Sequence, residues 1–185
     1  EHYQAHAYRD AAQLLATALE SWPTGSDEES RLTAVDALAR CAELSGDHTA
    51  AVRSLRELID RRPAPDTERR LAVQHELLGH WPLALSAREA AAIAFTACGE
   101  AGEAATERLA VATHLRSAAS FQAALETLSH AEVDARTAQR DDLVCRIGGL
   151  RGNILARQGE AARGVALVQA SLDKALELGL TAAAA

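Results

Sequence analysis

Gly152-Asn153-Ile154-Leu155-Ala156-Arg157-Gln158-Gly159-Glu160-Ala161-Ala162-Arg163-Gly164 sets two small residues twelve positions apart on either side of a glycine turn. The same spacing recurs as Ala39 and Ala51, Ala72 and Ala84, and Ala112 and Ala124, each pair straddling one break in the chain. A side chain without bulk on each of two adjacent helices lets their backbones approach. A short turn such as Gly46-Asp47 or Gly159-Glu160 then enforces antiparallel pairing. The repeating unit is predicted to be a helical hairpin.

Working outward, the breaks fall at Pro23 to Ser26, Ser45 to Asp47, Pro63 to Asp66, Gly79 to Pro82, Gly99 to Gly102, Ala119 to Ser120, Gln139 to Asp141, Gly159 and Gly179. Only helix-length segments lie between them. In Ser26-Asp27-Glu28-Glu29 the serine is expected to accept the Glu29 amide, and Pro82 suits a first helical turn because its missing N–H would have no partner there. The second helix of each unit repeats one apolar face: Ala11, Leu15, Ala18, Leu19; Ala51, Leu55, Leu58, Ile59; Ala124, Leu128, Ala131; Gly164, Val168, Ser171, Leu172. Pro23 and Pro63 close the first two. Arg88 stands where leucine is expected and reads as a side chain that snorkels or faces a partner.

Composition agrees with helix. Hydrophobic residues make up 48% of the 185-residue chain but aromatics only 3%, so the interior is built from Ala, Leu and Val. A formal net charge of -7 with no run of Lys and Arg speaks against direct nucleic-acid binding. Cys41, Cys98 and Cys145 lack any CxxC spacing and read as buried thiols of a reducing cytoplasm. No apolar run reaches membrane-spanning length, and the start around Glu1 and His2 does not look like a secretory signal. The absence of methionine and an apolar stretch at Ala182 to Ala185 suggest a fragment of a larger protein.

Small residues in both helices, a glycine at the turn and a proline after the second helix resemble the tetratricopeptide repeat, although that family's tryptophan and tyrosine are missing. The resemblance implies an all-α fold of antiparallel helical hairpins stacked as a right-handed superhelical solenoid. It implies one domain over 1-185 with units near 1-23, 26-63, 66-98, 101-138 and 141-179. An unrelated up-and-down helical bundle is the alternative. Arg40-Cys41-Ala42-Glu43-Leu44-Ser45-Gly46-Asp47, Arg88-Glu89-Ala90-Ala91-Ala92 and Gly149 to Arg157 further resemble the helical-repeat region of large actinobacterial LuxR-type regulators of the MalT group. That resemblance implies a regulatory role, with the ATPase and DNA-reading parts outside these residues.

No constellation for catalysis, metal or cofactor emerges. His2 and His6 share a helix face without a completing carboxylate or cysteine, and read as surface histidines. His75 and His80 flank the helix end at Gly79, where a protonated imidazole would suit the dipole. Asp141-Asp142 sits where acids favour a helix N-terminus. Gly148-Gly149 with Gly152 lies inside a helix rather than after a strand, so it is no nucleotide loop. The chain reads as non-catalytic, with no cofactor. In a solenoid the first helix of each pair lines the concave wall, and the repeat register places Asp36, Arg40, Arg69, Val73, Thr113, Arg116, Asn153 and Arg157 there. Arginine forks and an asparagine suit a protein or peptide guest, such as an acidic segment or another domain of the parent chain. The opposing readings are solvated helix-face charges with i, i+4 partners, and homo-oligomerisation through the alanine-rich final helices.

Overall fold

A computed structural model describes residues 2–23 and 27–180, with side chains from His6 onward. Ser26, the His2 side chain, Glu1 and Ala182 to Ala185 therefore lie outside the described residues. The described residues form nine α-helices and no strand: α1 His2–Glu20, α2 Glu28–Ser45, α3 His48–Arg61, α4 Pro65–Leu77, α5 Trp81–Ala97, α6 Ala101–Ser117, α7 Phe121–Thr137, α8 Asp141–Arg157 and α9 Ala161–Glu177. Eight of the nine breaks read from the sequence fall at a junction between two of them, and the ninth, Gly179, follows α9. The chain divides into two compact units, Glu1–Ala87 and Arg88–Ala185, with the division inside α5.

In the first unit α1 packs on α2, α2 on α3 and α3 on α4. Asp27 caps α2, its carboxylate accepting the amides of Glu29 and Ser30 at 3.1 and 3.3 Å. Gly46 ends α2 at φ 79°, a left-handed conformation that costs an L side chain strain, and Asp47 then caps α3 through the Ala50 amide. That turn reverses the chain, so Glu29 near the start of α2 meets Arg62 just past the end of α3 at 2.5 Å. Leu32, Val35, Ala39, Leu55, Leu58, Leu71, Ala72 and Ala87 form the core, with Leu19, Val52 and Ile59 against it.

In the second unit α6 packs on α7, α7 on α8 and α8 on α9. Asp141 at the start of α8 meets Lys174 in the last turn of α9 at 2.9 Å, which marks the pair as antiparallel. The seam is tightest at the quoted stretch. A Cβ added at Gly152 would stand 2.6 Å from the Gly164 carbonyl, and one at Gly164 would stand 2.5 Å from the Gly152 carbonyl. Here glycine is required because backbone meets backbone. Ala105, Leu109, Ala112, Ala124, Leu128, Ala131, Ala135, Leu143, Ile147 and Ile154 make the main core, beside a smaller group of Ala91, Phe95 and Ala104.

Left-handed residues close the helices at a fixed interval: Gly79, Gly99, Ala119, Gln139, Gly159 and Gly179, twenty positions apart. Each ending carries the same pair of backbone bonds. At Ala119 they run from its own N–H to the Arg116 carbonyl, 3.1 Å, and from the Ser120 N–H to the Leu115 carbonyl, 2.9 Å.

Candidate partner-binding surface

Arg69 and Arg70 are neighbours on α4, so their side chains leave the helix roughly 100° apart and one of them turns further toward α2 to reach its carboxylates. Arg70 does. Its guanidinium donates to Asp36 at 2.5 Å and forks across both Glu43 oxygens at 3.0 and 3.1 Å. Asp36 also accepts from Arg40 at 3.0 Å. Burial alone would push the Asp36 carboxyl up, but the hydrogen bonds from Arg70 and Arg40 outweigh it and hold the carboxyl below the ordinary aspartate value. Asp36 is thus committed to two arginines of its own unit. Arg40, Arg69 and Asp36 line one cleft of about 360 Å³ with Arg62, Thr67 and Arg70. Arg40 is largely exposed beyond its bond, whereas Arg69 lies 3.6 Å from Asp66. Val73 is exposed on α4 and does not line that cleft.

In the second unit, Thr113 is exposed on α6 and its hydroxyl donates back to the Leu109 carbonyl at 2.8 Å. Arg116 is half-buried. Its Nε has no hydrogen-bond partner among the described residues, and one terminal nitrogen reaches the Ser117 hydroxyl at 3.5 Å. Asn153 and Arg157 are exposed on α8.

Two features escaped sequence reading. Arg88 neither snorkels nor waits for a partner: it donates at 2.6 Å to Glu107 of α6, a carboxylate only 2% exposed. A glutamate among polar neighbours on a helix looks like a surface residue, and nothing local announces its burial. The second is His75. Far from capping α4 as an imidazolium, it is 2% exposed; Arg56 stands 3.4 Å from its Nε2, and the His80 ring centroid is 5.8 Å away. An arginine can only donate, so Nε2 accepts and the proton of the neutral ring sits on Nδ1, which is buried without a partner among the described residues. Burial first, then Arg56 and His80, pushes the His75 pKa below the ordinary histidine value.

A second cleft in the first unit, about 640 Å³, is lined by residues of α1, α2 and α3, among them Leu19, Leu38, Ala42, Arg9, Arg53 and Glu57. Asp141 and Asp142 stand in the first turn of α8, paired with Lys174 and Arg140. Among the described residues no three His, Cys, Asp or Glu side chains are placed to hold a metal, and no helix is long and apolar enough to cross a membrane. Comparisons with models of protein families and with curated proteins find no match to this chain.

Proposed function

We propose that this chain is a non-catalytic helical-repeat module that binds a protein or peptide, the recognition or signal-sensing part of a LuxR-type transcriptional regulator in the cytoplasm. On this reading the hairpins continue into a right-handed superhelical solenoid, and the first helix of each hairpin faces the guest. The observation that carries the reading is that, among the described residues, no carboxylate pairs with Arg157 of α8 or Arg116 of α6. Arg157 is exposed with Asn153 one turn before it, and Arg116 is half-buried with its Nε enclosed and without a partner, which leaves its terminal nitrogens to meet a guest. By contrast Arg88, Arg108 and Arg151 of the same unit are each paired with a carboxylate.

Unconsumed arginine forks select carboxylates, so the guest is an acidic segment or an acidic face of a neighbouring domain. Titrating a fluorescent peptide of alternating glutamate and alanine tests this by anisotropy. Replacing Arg116 and Arg157 together with alanine is expected to weaken binding by about tenfold or more, since charge-assisted bonds contribute about 1.5–3 kcal/mol each. Raising the salt should weaken wild-type binding in the same direction. Unchanged affinity in the double variant overturns the reading.

A second reading, an oligomerisation scaffold, is favoured by the apolar side chains that α9 leaves exposed, Val165, Val168 and Leu176. Light scattering across a concentration series separates the two.

A further inference from the structure

The cleft of about 640 Å³ in the first unit lies where α1 and α2 carry alanine. In the repeat register Ala11 and Ala51 correspond to Ala124, and Ala39 to Gly152. Ala12 and Ala42 of the cleft therefore answer to Leu125, packed against the core of the second unit, and to Leu155, buried there. Alanine leaves the space that leucine takes up. The volume is that of a small-molecule site rather than of a packing void.

Three donor groups that line this cleft meet no acceptor among the described residues. Ser54 is only 6% exposed, and its hydroxyl has no hydrogen-bond partner there. Thr127, at the same place on α7, folds its hydroxyl back onto the Ala123 carbonyl at 2.9 Å. Ser54 makes no such bond to Ala50, which leaves its hydroxyl to the cleft. Arg9 of α1 and Arg53 of α3 are exposed and form no ion pair among the described residues. The remaining charges are engaged or distant. Arg31 holds Glu57 at 2.5 Å, and Asp47 caps α3 by accepting the Ala50 amide at 3.0 Å. Glu20 ends α1 eleven residues past Arg9, roughly 16 Å along the helix.

We propose that this cleft binds a small organic carboxylate with an unbranched apolar body, the carboxylate held between Arg9 and Arg53 with the Ser54 hydroxyl donating to it. The apolar body lies along Ala12, Ala16, Leu38 and Ala42, with Leu19 toward the Glu20 end. Guanidinium forks and a hydroxyl donor select a carboxylate. The alanine stretch argues for an alkyl chain over a peptide. Every peptide residue brings an N–H and a carbonyl that need partners. Beside Ser54, Gln13 is the uncharged polar side chain left to supply them, since the Ser45 hydroxyl already donates to the Ala42 carbonyl at 3.1 Å. An alkyl chain makes no such demand. The inference uses none of the residues assigned to acidic guests and stands independently of that reading.

The test follows amide shifts of the full chain, isotope-labelled, in NMR, which register weak binding and locate it. The probes are hexanoate, octanoate and decanoate, with 1-octanol as the uncharged body and an acetylated Ala-Leu-Ala-Leu peptide with a free C-terminus as the competing guest. Shifts are expected in α1, α2 and α3, with octanoate about tenfold or more tighter than octanol. Each added methylene should tighten binding about two- to fourfold. Arg9→Gln with Arg53→Gln, both at exposed positions, should remove the preference for octanoate and leave octanol binding as it is. Ser54→Ala should weaken octanoate about three- to tenfold. Ala12→Leu, which copies Leu125, should abolish binding of the whole series. Equal affinity for octanoate and octanol, an unchanged double-glutamine variant, or tighter binding of the peptide overturns the proposal. So do shifts confined to α6–α9, or no binding at millimolar ligand. Failure of the glutamate-peptide assay would leave these readouts untouched.

Discussion

Ala119 and Gln139 hold left-handed backbone at φ 58° and 53°, in turns whose counterparts are glycine at Gly79, Gly99, Gly159 and Gly179. An L side chain pays about 1–2 kcal/mol there, partly offset by the greater chain entropy glycine has to lose, about 0.5–1 kcal/mol. Ala119→Gly and Gln139→Gly are each expected to raise stability by about 0.5–1 kcal/mol, read as a higher urea midpoint at unchanged slope. Gly152→Ala should do the opposite, costing about 1–3 kcal/mol or more, because the added Cβ meets the carbonyl of Gly164 rather than a movable side chain. At Gly149 in the same helix an added Cβ would meet nothing within 4 Å, so Gly149→Ala should stabilise by up to about 1 kcal/mol. His75 supplies a pH dependence. Its pKa is depressed in the folded chain, so the unfolded chain takes up the proton first and stability falls as pH drops below about 6.5. Thermal melts at about pH 7.5 and about pH 5.5 should show a larger loss for the native chain than for His75→Leu, which has no proton to bind at that position. Of these residues the glycines and the turns were legible in the sequence, because left-handed backbone and close approach have few chemical solutions. His75 was not: a histidine five residues from another beside a glycine looks the same whether it caps a helix or is buried against Arg56.

Between α5 and α6 the pair of Arg88 and Glu107 occupies the place that Leu128 and Ile147 fill between α7 and α8. The two arrangements offer a comparison within one protein of a buried ion pair and its apolar counterpart. Glu107→Leu alone removes the buried carboxylate to which Arg88 donates and is expected to cost about 3–5 kcal/mol. Arg88→Leu with Glu107→Ile copies the neighbouring seam and should recover that loss, ending neutral or about 1–4 kcal/mol more stable than the native chain. Denaturant melts of the two single variants and the double variant close the cycle. Helix ends were readable from proline, glycine and the small-residue spacing, since each has a local cause. Which side chain of one helix meets which of the next was not, because those pairs lie nineteen to thirty-four residues apart and alanine-rich faces leave the angle between neighbours open. The cap on α2 shows the smaller version of the same limit: aspartate is a good cap wherever it stands, and only the backbone path brings the Asp27 carboxylate to the amides of Glu29 and Ser30.

For the molecule as a whole, the main packing in each unit runs from one helix to its neighbour along the chain. Stability in such an arrangement is approximately a sum of hairpin and neighbour terms, so damage stays local. In a Gly152→Ala chain, hydrogen exchange is expected to rise through α8 and α9 while the amides of α2 and α3 keep their native protection. Uniform acceleration in all helices would show instead that the chain opens in one step. The eight residues that the repeat register assigns to a guest wall divide at this scale: Asp36 and Thr113 are committed to bonds inside their units, while Arg157 and Asn153 are exposed, and sequence alone has no means to tell a committed side chain from an open one. The even spacing of the left-handed turns has a genetic consequence. With helix and turn together occupying twenty residues from Gly79 to Gly179, two such steps restore chain direction and return the next helix to an equivalent register. A tandem duplication or loss of forty codons in this stretch would therefore lengthen or shorten the array without a new loop, whereas a change of twenty would send the following helix the wrong way.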